Sequence, residues 1–282
     1  MKKNILVFIA LFVAIAVSFG AFGVYTFSSN QNSYKDNEDG CGLYRYKSTS
    51  TEEAFDVPDT YEGKPVTELM AFCLSNSEYL KELNLGENIK TIDPWALTNC
   101  PLLESINVDE NNPYFTSVDG VLYSKDKTEL ICYPNGKTPI ETDKSGAITG
   151  GGAIVLPDSV KLIRDNAFYM CSNLYSVTFN DGLESIGDKA FLKCENLQAI
   201  DLPNTVKAIG TDAFSYCNSV TKLEIPSSVD SIGDYAFFST ASKINNVVVH
   251  KESADDLTVG KDWIPNQSDS INKKIPVEYV GE

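Results

Sequence analysis

Residues 174–242 read LYSVTFNDGLESIGDKAFLKCEN, LQAIDLPNTVKAIGTDAFSYCNS and VTKLEIPSSVDSIGDYAFFSTAS, three blocks of 23 residues that align without a gap. A fixed period of this length marks a solenoid, in which each unit buries its apolar face only against its neighbours. Within one block, Val177 and Phe179 alternate with Ser176 and Thr178, the pattern of a short strand with one buried face. Leu183 and Ile186 mark a second extended segment, and Gly187 then permits a tight turn. Asp188, like Asp165 and Asp234, stands where a side-chain oxygen caps a single helical turn. Ala190, Phe191 and Cys194 face one side of that turn. The expected fold is a mainly β repeat solenoid with short parallel strands and one short helical turn per unit. The column Leu74, Leu97, Phe168, Phe191, Phe214 and Phe237 is expected to stack as a spine.

Working outward, the period fixes the register of the less regular units. Ala71-Phe72 imitates the Ala-Phe pair, but a spacing of 23 to Ala96 selects Cys73 and Leu74 instead, with Leu69 in the Ile column. From Leu103 to Leu174 is 71 residues, an excess of 48 over one period. Ile106 and Val108 still match strand positions, and Ile154, Leu156, Pro157 and Val160 resume the frame. The excess, about residues 109–152, contains a predicted β-hairpin of Val121–Tyr123 and Leu130–Tyr133 around a polar turn, followed by a glycine-rich loop that ends in Gly150, Gly151 and Gly152. The solenoid is assigned to residues 43–249, and residues 250–282 to a cap over its last coil.

At the other end, Lys2 and Lys3 precede an apolar run that continues to Phe27. Residues 1–27 are either a cleaved secretory signal peptide or an uncleaved membrane anchor. Both place the remainder outside the cytoplasm. Residues 28–42 are polar and aperiodic and read as a flexible stalk.

The net charge of −16 excludes nucleic acid as a partner, because phosphate binding needs clustered Lys and Arg. Four of the seven cysteines, Cys100, Cys171, Cys194 and Cys217, share one column where Ser77 and Thr240 also occur, so they read as small buried fillers with free thiols. His250 is the sole histidine and no C-x-x-C pair is present, so neither a zinc site nor a base for nucleophilic catalysis is expected. No cofactor and no enzymatic activity are expected.

The frame, with the insert SVDGVLYSKDKTELICYP, resembles the BspA-like, or Treponema pallidum-type, leucine-rich repeat family of bacteria over roughly residues 43–249. The resemblance implies a right-handed curved solenoid with parallel strands on its concave side. It also implies a surface-exposed protein of adhesion, host-matrix binding or co-aggregation, and so an extracellular protein or glycan as partner. A structural envelope scaffold without a specific ligand is the alternative, and a monomer is expected in both cases. The candidate contact residues are Asn107, Thr178, Asp201 and Glu224 on the outward strand face, and the hairpin aromatics Tyr114, Phe115, Tyr123 and Tyr133. The strand face lacks an aromatic ladder, which makes the hairpin the favoured contact element.

Overall fold

The computed structural model describes residues 32–47, 52–137, 141–142, 148–150, 152–240, 244, 246–264 and 275–281. The N-terminal apolar segment and half of the glycine-rich loop lie outside these residues. Within that loop, Glu141–Thr142 pair with Ile148–Gly150.

The chain coils as the period predicts, and the coils build two strand faces, with residues 197–202 adding no strand to the first. On the first face, Ala54–Asp56, Glu82–Leu85 and Ser105–Val108 form one parallel sheet. Gly152–Val155 with Leu174–Thr178 form a second, and Leu223–Ile225, Val247–Val249 and Val277–Tyr279 a third. On the second face the two-residue strands Leu162–Ile163, Ser185–Ile186, Ala208–Ile209, Ser231–Ile232 and Thr258–Val259 pair in parallel, each one coil from the next. The alternation of each strand sends Leu223 and Ile225, for example, into the core while Glu224 stays half-buried.

The expected helical turn is replaced by a run of tight turns. Its backbone alternates, with Lys189 and Lys193 at φ 56° and 62°, and Asp212 and Tyr216 at 54° and 61°. That alternation turns every second N–H toward the following coil. Lys189, Phe191 and Lys193 donate to Thr211, Ala213 and Ser215 at 2.8, 2.7 and 2.9 Å. A helical turn would spend these donors within its own coil; here they bond coil to coil, so the turn edge carries its own ladder. The aspartates follow the same logic. Asp165 Oδ1 accepts from Asp188 N at 2.8 Å, and Asp188 Oδ1 accepts from Thr211 N at 2.7 Å, so they bridge coils rather than cap their own turn. Gly187 and Gly210 are needed for close approach, since a Cβ there would come within 2.6 Å of the amide nitrogens of Asp165 and Asp188.

The spine forms as expected and is longer. Phe168, Phe191, Phe214 and Phe237 stack with centroids 4.6, 4.9 and 5.4 Å apart. Trp263 closes it edge-on at 6.2 Å from Phe237. Phe237 N donates to Trp263 O, and Val277–Tyr279 pairs with Val247–Val249, so the residues after 250 supply a further coil that covers the stack. The register of the first units holds: Leu69 pairs with Ile92, Leu74 is buried, and Phe72 is 60% exposed.

Two expectations are corrected by the sheets. Residues 33–42 are not a stalk: Ser33–Asn37 and Gly40–Arg45 form an antiparallel hairpin, and Gly40–Arg45 pairs in parallel with Lys64–Leu69. This hairpin covers the first coil, which otherwise would present unpaired strand groups. The second correction concerns the insert. Its predicted strands Val121–Ser124 and Glu129–Cys132 pair antiparallel, but a further strand, Phe115–Val118, precedes them through the two-residue turn Asp119-Gly120, both with positive φ. Leu130 pairs with Ile163, and Tyr133 N donates to Ala167 O as Phe168 N does to Ala190 O. Tyr133 therefore occupies the Phe column, with its ring 5.1 Å from that of Phe168. The insert contains a coil of the same solenoid.

Candidate functional site

Four of the eight predicted contact residues sit in the insert, and three of them are core. Phe115, Tyr123 and Tyr133 are 6%, 2% and 2% exposed, and only Tyr114 reaches the surface. The reason is the alternation of a strand buried on both sides. Leu122, Ile131 and Phe115 pack into the apolar cluster of the N-terminal coils, whereas Val121, Tyr123, Leu130 and Tyr133 pack into that of the C-terminal coils. The aromatics expected to meet a partner are the filling of a wall between two halves of the core.

The other four lie on the strand face, as expected. Asn107 is exposed but hydrogen-bonded along the sheet, donating to Glu82 Oε1 at 2.9 Å and to Asn84 Oδ1 at 2.8 Å. Asn84 in turn donates to Asp56 Oδ1 at 2.6 Å, so the polar groups of the N-terminal sheet satisfy one another. Thr178 is exposed on the strand Leu174–Thr178. Asp201 and Glu224 are brought together. Residues 197–202 join no strand ladder, and their link to the preceding coil is Gln198 N donating to Tyr175 O at 3.1 Å. The face opens there into a recess of about 320 Å³, lined by Asp201, Asn204, Lys222, Glu224 and His250, among others.

Charge in the recess is arranged around Glu224. Lys222 Nζ lies 2.7 Å from its Oε1 and His250 Nε2 lies 3.7 Å from its Oε2. The Lys222 hydrogen bond holds the Glu224 carboxyl below the usual carboxylate value, and the same bond raises the lysine. Asp201, one coil away, is exposed and makes no hydrogen bond or ion pair among the described residues. The recess thus offers a carboxylate without a hydrogen bond, in the field of Lys222 and beside the Lys222–Glu224 ion pair. Lys222 and His250 were not singled out as contacts by sequence; their signal was position, since Lys222 shares its strand face with Glu224 and His250 ends the next strand.

Burial raises the thiol of Cys100 to about 11 and drives those of Cys171 and Cys194 well above the ordinary value, so none of these is an activated nucleophile. Among the described residues, no group of three or more His, Cys, Asp or Glu is placed to hold a metal ion. Among the same residues, no helix is long and apolar enough to cross a membrane.

A solenoid of 23-residue coils with a Phe spine and an Ala-Phe-x-x-Cys turn edge defines a bacterial leucine-rich repeat protein. The chain belongs to the BspA type leucine rich repeat region family, whose model matches six copies over residues 44–143 and 152–256. Among solved structures it is similar to a leucine-rich repeat protein from Eubacterium ventriosum, at 20% identity and TM-score 0.56, over 78% of this chain and 68% of that one. It is similar to the pneumococcal vaccine antigen PcpA, at 18% identity and TM-score 0.51, over 92% and 88% of the two chains. A leucine rich cell surface protein from Faecalibacterium prausnitzii matches at 16% identity and TM-score 0.51, over 94% and 97%. No curated protein sequence matches the chain. These likenesses establish the fold.

Proposed function

We propose that this protein is a non-catalytic binding module outside the cytoplasm, which uses the strand-face recess to hold a basic segment of an extracellular partner protein. The observation that carries this reading is Asp201, an exposed carboxylate without a bonded partner, placed in one recess with Glu224 from the next coil. The net charge of −16 draws a cationic partner and repels an anionic one. The N-terminal Lys-Lys and apolar run support export, and one similar structure is that of a cell surface protein. The self-satisfied ladder of Asp56, Asn84 and Asn107 favours a scaffold role for the N-terminal sheet, which leaves recognition to the C-terminal half.

The test is capture of Lys/Arg-rich peptides and extracellular-matrix proteins by the full chain, at low and high salt, beside the double variant Asp201→Asn/Glu224→Gln. Binding that weakens with salt and falls at least about tenfold in the variant is expected, from charge pairs in a partly desolvated recess. Absence of binding, or equal binding by the variant, contradicts the reading.

A further inference from the structure

Four of the side chains that line the strand-face recess ionise: Asp201, Lys222, Glu224 and His250. With the imidazole neutral, two carboxylates and one ammonium leave the recess with one net negative charge. Protonation of His250 cancels it. The chain as a whole carries −16, so the same proton barely alters the overall field, and its effect falls on the recess. His250 is the only histidine in the sequence, and imidazole is the side chain whose charge changes between about pH 5 and 8.

His250 follows the strand Val247–Val249, and its N donates to Ile225 O at 2.9 Å, which sets it beside the preceding strand. There Glu224 Oε2 lies 3.7 Å from its Nε2, within ion-pair reach once the ring is protonated. Lys222 Nζ holds the other oxygen, Oε1, at 2.7 Å, and that bond keeps the Glu224 carboxyl below the usual carboxylate value. Glu224 therefore stays ionised where an imidazole titrates. Asp201 shares the recess from the coil before. On the following strand the charged group is Glu278, exposed and opposite Val248. Next along the chain, Lys251 Nζ lies 4.0 Å from Asp230 Oδ1, and Glu252 is exposed.

We propose that His250 is a pH switch on the recess: once protonated it takes the Glu224 carboxylate as its own partner and releases the basic segment. The inference rests on the reading that the recess holds such a segment. At neutral pH the ammonium and guanidinium groups of the segment meet one uncancelled negative charge. In acid the imidazolium places a positive charge at ion-pair distance from Glu224 and repels the incoming cation. The coupling is reciprocal, so a bound cation drives the proton off the ring. Binding is therefore strong above the pH at which the ring titrates and weak below it.

The test measures binding of a Lys/Arg-rich peptide without histidine to the full chain at about pH 7.5 and about pH 5.5, a window in which ordinary carboxylates and ammoniums keep their charge. Ionic strength is held constant, and the variants His250→Gln and His250→Lys accompany the wild type. The wild type is expected to bind about threefold or more weakly at the lower pH. His250→Gln, which cannot take up the proton, should bind equally at both. His250→Lys should bind at the higher pH as weakly as the wild type does at the lower. Calorimetry of the wild type midway between gives a readout that needs no variant. Protons leave as the peptide docks, so the heat of binding should vary with the ionisation enthalpy of the buffer. Absence of binding at the higher pH overturns the recess reading and the switch with it. Binding that persists undiminished at the lower pH overturns the switch alone, as does an equal loss in His250→Gln or a heat independent of the buffer.

Discussion

At the residue scale the cysteine column explains why a thiol, a hydroxyl and no plain methyl recur at one place. Cys100 Sγ lies 3.2 Å from Leu74 O, Cys194 Sγ 3.1 Å from Phe168 O, and Cys217 Sγ 3.3 Å from Phe191 O. Thr240 Oγ1 makes the same bond to Phe214 O. Each group donates to the Phe-column carbonyl of the preceding coil, so the column is a donor ladder as well as packing. The sequence showed the interchange of Cys and Thr, and the filler reading accounted for size only; which atom received the proton was not legible, because it belongs to another coil. Cys217→Thr should therefore retain stability better than the equally sized Cys217→Val. The expected gap is about 0.5–1.5 kcal/mol, since Phe191 O keeps a second donor in Cys194 N. Chemical unfolding of the two variants checks this, and equal midpoints would reduce the column to packing.

At the element scale the insert carries the main difference between reading and structure. Its second and third strands are legible from their apolar runs, and the Asp-Gly pair at 119–120 marks the turn that joins the first strand to them. Tyr133 escaped the Phe column because it stands 35 residues before Phe168 rather than 23 and only three after Leu130 rather than five, and a fixed-period comparison cannot register it. Burial on both faces was likewise hidden, for an apolar strand shows no sign of how many layers cover it. Asn135 sews the wall to both neighbours, its Nδ2 donating to Tyr169 O at 2.8 Å and its Oδ1 accepting from Cys100 N at 3.3 Å. Tyr133→Ala should cost roughly 3–5 kcal/mol by cavity formation, while Tyr114→Ala, 45% exposed in the wild type, should stay within about 0.5 kcal/mol. Denaturant midpoints of the two variants decide the matter. A Tyr114 effect as large as that of Tyr133 would restore the hairpin to the surface.

At the scale of the whole molecule the chain is a stack of coils whose core is divided by one shared wall. Stability in such an array is set between neighbours, so every contact across the wall couples the N-terminal and C-terminal clusters. The period made the architecture and the spine legible. It did not show which coil leaves the sheet, since residues 197–202 repeat the frame as faithfully as their neighbours, and so the recess at Asp201 and Glu224 emerges only from the assembled face. The claim that the insert is a wall inside the solenoid is tested most directly by native-state hydrogen exchange across residues 115–133. The amides of Leu122, Leu130 and Tyr133 should exchange as slowly as those of Phe191 and Phe214, because opening any of them exposes core. Exchange there as fast as at the exposed turn residue Asp126 would mean that the insert lies on the solenoid, and the account of a divided core would fail.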